Sequence, residues 1–549
     1  MNYNQLQFWV LFLAVFVPYW YLPHRQQNRL LLVASYVFYG FWDYRFLFLI
    51  LLTTVVDFIG GLGVAGARLP QASRAKLAML LIGAAVFLTG NLRFDELAAG
   101  LLAGDRATIR GALPQSLAEF WIPLATAALM VGYMLVLPRL YGLPEAARRK
   151  TFLVISMVAN LGILGFFKYY DFFVESLAML LEGLGFHASM PVLGIVLPVG
   201  ISFYTFQAMS YTIDIYRGKT EPTRSFGDFA LFVCFFPHLV AGPIMRAHTL
   251  LPQVIHPRVR NAIEFREGFA LVLIGLFKKL VLADNMAPIA NSVFVRLADG
   301  NTVGLSGSEV MIGIYAFALQ IYGDFSGYSS IARGISKWLG FDLVINFHNP
   351  YLAVTPSDFW RRWHISLSSW LRDYLYIPLG GNRRGRLVEY RSLIITMLLG
   401  GLWHGANWTF LAWGLYHGAI LCAYRLAGVR EAERSAQPLL WVVQVVVMFH
   451  LTCLGWLLFR AESFGSVVAA LDVLVNQWSV TTFAKTGLVV IVFYAGILFA
   501  VEWLTDAEKG LRRIFRVPWF VQGAWYVYLA LMIGLFYSRQ TNEFIYFQF

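Results

Sequence analysis

Charge is scarce in this 549-residue sequence, with Asp, Glu, Lys and Arg supplying 13% of it, about half the roughly 25% of a soluble domain. Hydrophobic residues make up 58% and aromatic ones 16%, and the mean hydropathy is +0.62. A water-soluble globular core is excluded, and so is a disordered chain, which needs low hydrophobicity and high charge. Cysteine is scarcer still. Cys234, Cys422 and Cys453 lie far apart in apolar stretches, so neither a disulfide framework nor a CxxC metal site is expected, and all three read as small buried hydrophobes. The roughly ten-residue alternation of an outer-membrane strand is also missing.

Long apolar runs are present instead. A helix crosses hydrocarbon in about 20 mostly apolar residues, because its polar backbone groups must bond within the segment. Runs that fit extend from residues 5–22 to 517–537 and include 268–290, 310–331, 393–402 and 409–424. The expected fold is all-α: one multi-spanning domain over residues 1–549, a polytopic bundle of about 12–14 spanning helices with re-entrant or amphipathic helices between them. Residues 228–265 and 337–391 mix polar and aromatic side chains and are the candidates for those non-spanning segments.

The formal charge is +12, but the basic residues sit between apolar runs and read as topology signals rather than a nucleic-acid surface. Arg25 and Arg29, then Arg148, Arg149 and Lys150, then Arg217 and Lys219 follow odd-numbered runs. That places those loops in the cytoplasm and the N-terminus outside, as a retained first helix rather than a signal peptide. An even number of crossings would put residues 544–549 outside as well.

Of ten histidines, most have structural explanations. His24, His187 and His256 fall in loops, and His450 reads as a hydrogen-bonded helix contact. His404 differs, standing in Gly400-Gly401-Leu402-Trp403-His404-Gly405-Ala406-Asn407-Trp408. An ionisable ring at membrane depth is a functional candidate by default; glycines let other groups approach it and indoles shield it from water. The alternative is a helix-packing histidine in a tight hairpin. Downstream of Pro356 and Ser357, Trp360, Trp363, His364, Leu367 and Leu371 recur at helical spacing and predict one continuous helix, with Arg361 on another face. Sequence spacing does not show whether His364 and His404 meet. Asp324, inside the run 310–331, is either functional or ion-paired with Arg333 or a loop arginine. His238, between Pro237 and Pro243, marks a re-entrant turn.

The stretch Asp358 to Tyr376, followed by Ile377-Pro378-Leu379-Gly380-Gly381-Asn382-Arg383, together with Gly401-Leu402-Trp403-His404-Gly405, resembles the bacterial membrane-bound O-acyltransferase family, especially its alginate-acetylating branch. Gly200 through Gln207, Phe236 through Pro243, Gly275 through Lys279 and the Asp324 cluster agree with it. The resemblance covers residues 160–424, the catalytic core it implies. It makes His404 the principal catalytic histidine and His364 the second polar group of the site. It implies a water-accessible funnel, an acyl donor on the cytoplasmic side and a sugar hydroxyl modified outside with help from a periplasmic acetyltransferase-like partner. Asp324, Trp403, Trp363, Asn407 and Arg361 are the substrate-binding candidates. Acetyl-CoA or an acyl carrier is the expected donor, with no tightly bound cofactor and no metal. Residues 68–150 are longer than the alginate branch leads one to expect and read as an added helix pair; His348 stands where that pattern has asparagine.

The expected activity is acetyl transfer from a cytoplasmic thioester toward hydroxyls of an exported polysaccharide, alginate, cellulose or similar, in the bacterial inner membrane. The alternatives are D-alanyl transfer to teichoic acid, or a transporter or channel. No Gly-x-Ser-x-Gly elbow is present, so direct transfer is simpler than an acyl-serine route, and no repeated broken helices of the transporter kind are evident.

Overall fold

The computed structural model describes residues 2–114, 116–187, 189–429, 437–505, 514–538 and 544–545, so of the C-terminal residues 544–549 only Phe544 and Ile545 are described. Every regular element among the described residues is helical and none is a strand. Seven described segments are long and apolar enough, by length and composition, to cross a membrane. Many of their side chains point outward: Leu135, Val158 and Leu535 are 67%, 65% and 74% exposed. Such exposure is unfavourable in water by about 25 cal/mol per Å² and free of that penalty against lipid tails, which are as apolar as leucine. The chain is an all-α, multi-pass membrane protein.

Its residues form two compact units. The first comprises Met1–Tyr170, Gly194–Val240 and Ile244–Val259. It is built from α1 (Leu6–Tyr19), α2 (His24–Asp43), α3 (Leu47–Ala65), α4 (Gln71–Thr89), α5 (Phe94–Ala103), α6 (Arg106–Gly111), α7 (Trp121–Tyr141), the first part of α8 (Glu145–Gly183), α9 (Ile201–Tyr216), α10 (Phe226–Cys234) and α11 (Ala247–Ile255). Residues 68–150 thus hold α4 to α7 and the start of α8. A fully buried carboxylate ties three helices together: Asp57 of α3 accepts hydrogen bonds from Ser156 and Asn160 of α8 and Thr212 of α9. Donors of this kind are required for a carboxylate out of reach of water. His238 lies in the turn after α10, its Nε2 2.8 Å from Gln207 Oε1 of α9.

The second unit comprises Asp171–Leu193, Ala241–Pro243 and Arg260–Phe549. It holds α12 (Ala262–Leu276), α13 (Asp284–Ala298), α14 (Gly307–Trp338), α15 (Pro356–Arg362), α16 (Ile365–Leu371), α17 (Arg386–His404), α18 (Trp408–Leu426), α19 (Pro438–Arg460), α20 (Phe464–Asn476), α21 (Thr482–Thr505) and α22 (Trp519–Phe536). α14 is buried on all its faces, as an apolar helix inside a bundle must be. Small residues let its neighbour close in: a Cβ on Gly275 would lie 2.6 Å from the Gly327 carbonyl oxygen, and one on Gly268 2.7 Å from that of Gly334. This pairing is antiparallel and uses the small-residue packing that substitutes for the hydrophobic effect between membrane helices.

Two differences from the sequence reading affect the site. The run 393–402 is the second half of a longer helix, α17, whose last residue is His404. The helix expected to run through Trp360 and His364 is broken. α15 ends at Arg362, Trp363 is extended, and His364 adopts φ +43° before α16 begins. The periodic face was real in spacing but not in backbone, because polar groups outside the segment replace the helical hydrogen bonds at the break. The entry matched expectation closely: Thr355 caps α15 by accepting from Asp358 N, with Pro356 in the first turn.

Candidate active site

α17 and α18 form a tight hairpin, and its glycines explain how. A Cβ on Gly401 would lie 2.2 Å from the Phe410 carbonyl oxygen, one on Gly414 2.3 Å from that of Met397, and one on Gly405 2.1 Å from the Phe410 ring. No side chain fits at these positions without forcing the helices apart. The hairpin holds His404 at the end of α17, 4% exposed, with Trp403, Trp413 and Phe459 edge-on to its ring at centroid distances of 5.1, 5.0 and 5.2 Å. Three aromatic walls exclude bulk water from one imidazole.

His364 is brought to it. The two imidazole centroids are 6.5 Å apart and their planes are tilted by 53°, within the range of interacting ring pairs. His364 is fully buried, with Phe325 at 4.6 Å, Phe347 parallel at 6.3 Å and Trp403 at 5.9 Å. Trp403 therefore touches both histidines.

The left-handed backbone of His364 is unfavourable for a residue with a Cβ, by roughly 1–2 kcal/mol, and something must hold it. Asn346 does so from the loop after α14. Its carbonyl oxygen accepts from Ile365 N at 2.9 Å, its Oδ1 accepts from Ser366 N at 3.2 Å and from Ser366 Oγ at 2.9 Å, and its Nδ2 donates to Ser329 Oγ at 3.2 Å. Asn346→Ala keeps the backbone bond and removes the side-chain ones. The expected result is a fall in kcat of about 10- to 100-fold from misplacement of one group, with KM values for both substrates within about threefold. Steady-state kinetics with the unfolding midpoint measured alongside checks it; a lowered midpoint with unchanged kcat per folded molecule contradicts the assignment.

The remaining candidates separate. Trp363 is buried in an aromatic cluster against Phe359, Phe347 and Trp456, the last at 4.8 Å. Asn407 caps α18, accepting from Thr409 N at 3.0 Å and donating to the Glu462 carbonyl oxygen at 3.0 Å. Arg361 is exposed. Asp324 is ion-paired, with Lys279 rather than with Arg333 or a loop arginine: Lys279 Nζ lies 2.9 Å from Asp324 Oδ1 and 2.9 Å from Asp284 Oδ1, and Ile545 N donates to Asp324 Oδ2 at 2.7 Å. Asp324 reaches the site only through its neighbour Phe325. His450 is a helix contact, with Nε2 2.7 Å from the Tyr315 hydroxyl and Nδ1 2.8 Å from the Val446 carbonyl oxygen.

Four residues near the site were not singled out from the sequence: Trp413, His417, Phe459 and Asn346. Trp413 lies between His404 and His417, whose ring centroid is 4.8 Å from it on the far side. The four-residue step from Trp413 to His417 on an apolar run was a legible signal. Phe459 arrives from α19, and nothing in the sequence around it points to His404.

Two buried histidines brought together by separate helices and walled by aromatics are groups suited to proton transfer in an acyl-transfer reaction. Residues 219–459 match the family described as MBOAT, membrane-bound O-acyltransferase. The chain is 39% identical to the probable alginate O-acetylase AlgI of Azotobacter vinelandii over 84% of its own length and 76% of that protein's. It is 35% identical to the peptidoglycan O-acetyltransferase of Helicobacter pylori over 65% of its length and 71% of that protein's. A more distant relative is the teichoic acid D-alanyltransferase of Bacillus subtilis, 24% identical over 48% of the chain. The chain belongs to the membrane-bound O-acyltransferase family, and it is an O-acyltransferase.

Proposed function

We propose that this protein moves an acetyl group from a thioester donor at the cytoplasmic face of the bacterial inner membrane toward hydroxyls of an exported cell-surface polysaccharide. Alginate, cellulose or a similar glycan is the acceptor, reached with a periplasmic acetyltransferase partner. The observation that carries this reading is the meeting of His364 and His404, both buried among aromatic side chains. The O-acetylating relatives cover more of the chain, at higher identity, than the D-alanylating one, which favours acetyl over D-alanyl. Sidedness rests on the basic loops after odd-numbered runs, with the N-terminus outside.

The chemistry is direct transfer. The acceptor oxygen forms a bond to the acetyl carbonyl carbon as the carbon–sulfur bond breaks; the hydroxyl proton passes to an imidazole, assigned to His404, and from there to the departing thiolate. His364 faces the same space from the other side and orients the reacting group or opposes charge on the carbonyl oxygen. Acetyl-CoA or an acetylated carrier is the donor, and no resident cofactor takes part.

The test supplies membranes containing the full chain with acetyl-CoA labelled in its acetyl group, candidate glycans and the periplasmic fraction. Labelled acetyl ester on the glycan is expected. Transfer from a D-alanyl carrier and from no acetyl donor would replace acetyl by D-alanyl; no transfer from either donor would count against the reading.

A further inference from the structure

Four helix ends of the first unit meet at one place. α3 stops at Ala65 and α4 starts at Gln71, while α7 stops at Tyr141 and α8 starts at Glu145. The Tyr141 hydroxyl donates to the Ala67 carbonyl oxygen at 2.9 Å, and Arg148 Nε donates to that of Gly63 at 3.2 Å, so the two connections lie side by side. Glycine admits the arginine: a Cβ on Gly66 would lie 2.7 Å from Arg148 Nη2.

Positive charge collects there. The Arg68 guanidinium lies over the Tyr141 ring, 5.6 Å from its centroid, and the charges of Arg74 and Arg148 act on the same tyrosine. Among the described residues none of these three arginines forms an ion pair, whereas Glu145, exposed at the start of α8, is 3.9 Å from Arg149. Arg74 Nε is buried with no hydrogen-bond partner among the described residues. Lys76 and Arg139 add two exposed cations on the adjoining turns of α4 and α7. Like charges gathered at the edge of a low-dielectric region repel one another. An anion with several oxygens relieves that repulsion by accepting from more than one guanidinium fork.

The surroundings decide which kind of anion. α4 and α7 are candidate spans that bury only 22% of their apolar stretches, so most of each faces lipid. Met79 and Leu80 stand three and four residues beyond Lys76, and Val136 and Leu135 three and four before Arg139; all four are exposed and share a helix face with the cation beside them. A phosphate held at the arginines therefore has apolar surface directly below it, where acyl chains would lie.

We infer that the ends of α3, α4, α7 and α8 bind the head group of an anionic phospholipid, with its phosphate on Arg68, Arg74 and Arg148 and its acyl chains along α4 and α7. Basic pockets between spanning helices suit such head groups. Phosphatidylglycerol brings a net negative charge to the site, whereas the ammonium of phosphatidylethanolamine would face three guanidinium groups.

The purified full chain in detergent is incubated with equimolar phosphatidylglycerol and phosphatidylethanolamine of the same acyl chains, and the retained lipid is counted by native mass spectrometry. The wild type is expected to retain phosphatidylglycerol in at least about tenfold excess, from the worth of each arginine toward anionic lipid. R68Q/R74Q/R148Q is expected to lose that preference, and R383Q/R384Q/R386Q, which removes as many charges from exposed positions elsewhere, to keep it. Equal retention of the two lipids by the wild type, which involves no variant and no folding defect, overturns the inference. So does a preference that survives the first triple variant, or one that falls equally in the second, since net charge alone would then account for it. Displacement of phosphatidylglycerol by millimolar inorganic phosphate would assign the arginines to a soluble anion and overturn it too.

Discussion

Replacing His404 by alanine or asparagine is expected to abolish acyl transfer while leaving membrane insertion intact. General-base catalysis contributes typically about 10²–10⁴-fold, and His404 is the imidazole at which the hairpin glycines, Trp403, Trp413 and Phe459 converge. Alanine also empties a volume between three aromatic rings and carries some packing cost. Asparagine fills more of that volume and keeps a polar group while removing the base. Both variants should be inactive with acetyl-CoA and glycan, and asparagine should be the closer of the two to wild type in its unfolding midpoint. Retained transfer by the asparagine variant would remove His404 from the reaction and leave it a packing residue. His364→Ala should reduce transfer as well, since its ring lies 6.5 Å from that of His404.

How much of this was legible beforehand depends on the kind of signal. The all-α membrane class followed from composition and run length, because hydrocarbon leaves a backbone few choices. His404 stood out because an imidazole among glycines is rare in an apolar chain. Its partnership with His364 was implied by the family resemblance and was not legible in the residues' own spacing: it depends on a helix break at Trp363–His364 held by Asn346, and the local pattern around Trp363 and His364 argued for an unbroken helix. Propensity reads a segment's own spacing, whereas the break is stabilised by a loop residue outside that segment, Asn346. The Asp324 partner was missed for a related reason. Lys278 and Lys279 are adjacent, and in a regular α-helix one of the two would be expected to turn away. A π-helical turn, Phe277–Ala283, lets them serve two separate carboxylate groups.

Lys279 carries the second large expected effect, on stability rather than chemistry. It is 1% exposed and bridges Asp284 and Asp324, so Lys279→Met leaves two buried carboxylates without their cation. Breaking a buried pair by removing one partner costs about 3–5 kcal/mol, and here the survivors also repel each other. The variant is expected to lose most of its monodisperse material on size-exclusion chromatography. Asp324→Asn should be far milder, because Lys279 keeps Asp284 and the amide oxygen still accepts from Ile545 N. The combination Lys279→Met, Asp284→Asn, Asp324→Asn should regain much of the lost stability, since exchanging a whole buried ionic set for neutral groups of similar size is often close to neutral. That combination also decides what Asp324 does. If the carboxylate serves only the ion pair, the neutral variant transfers acetyl groups at a rate near wild type per folded molecule; if it contacts substrate, the variant folds and is inactive.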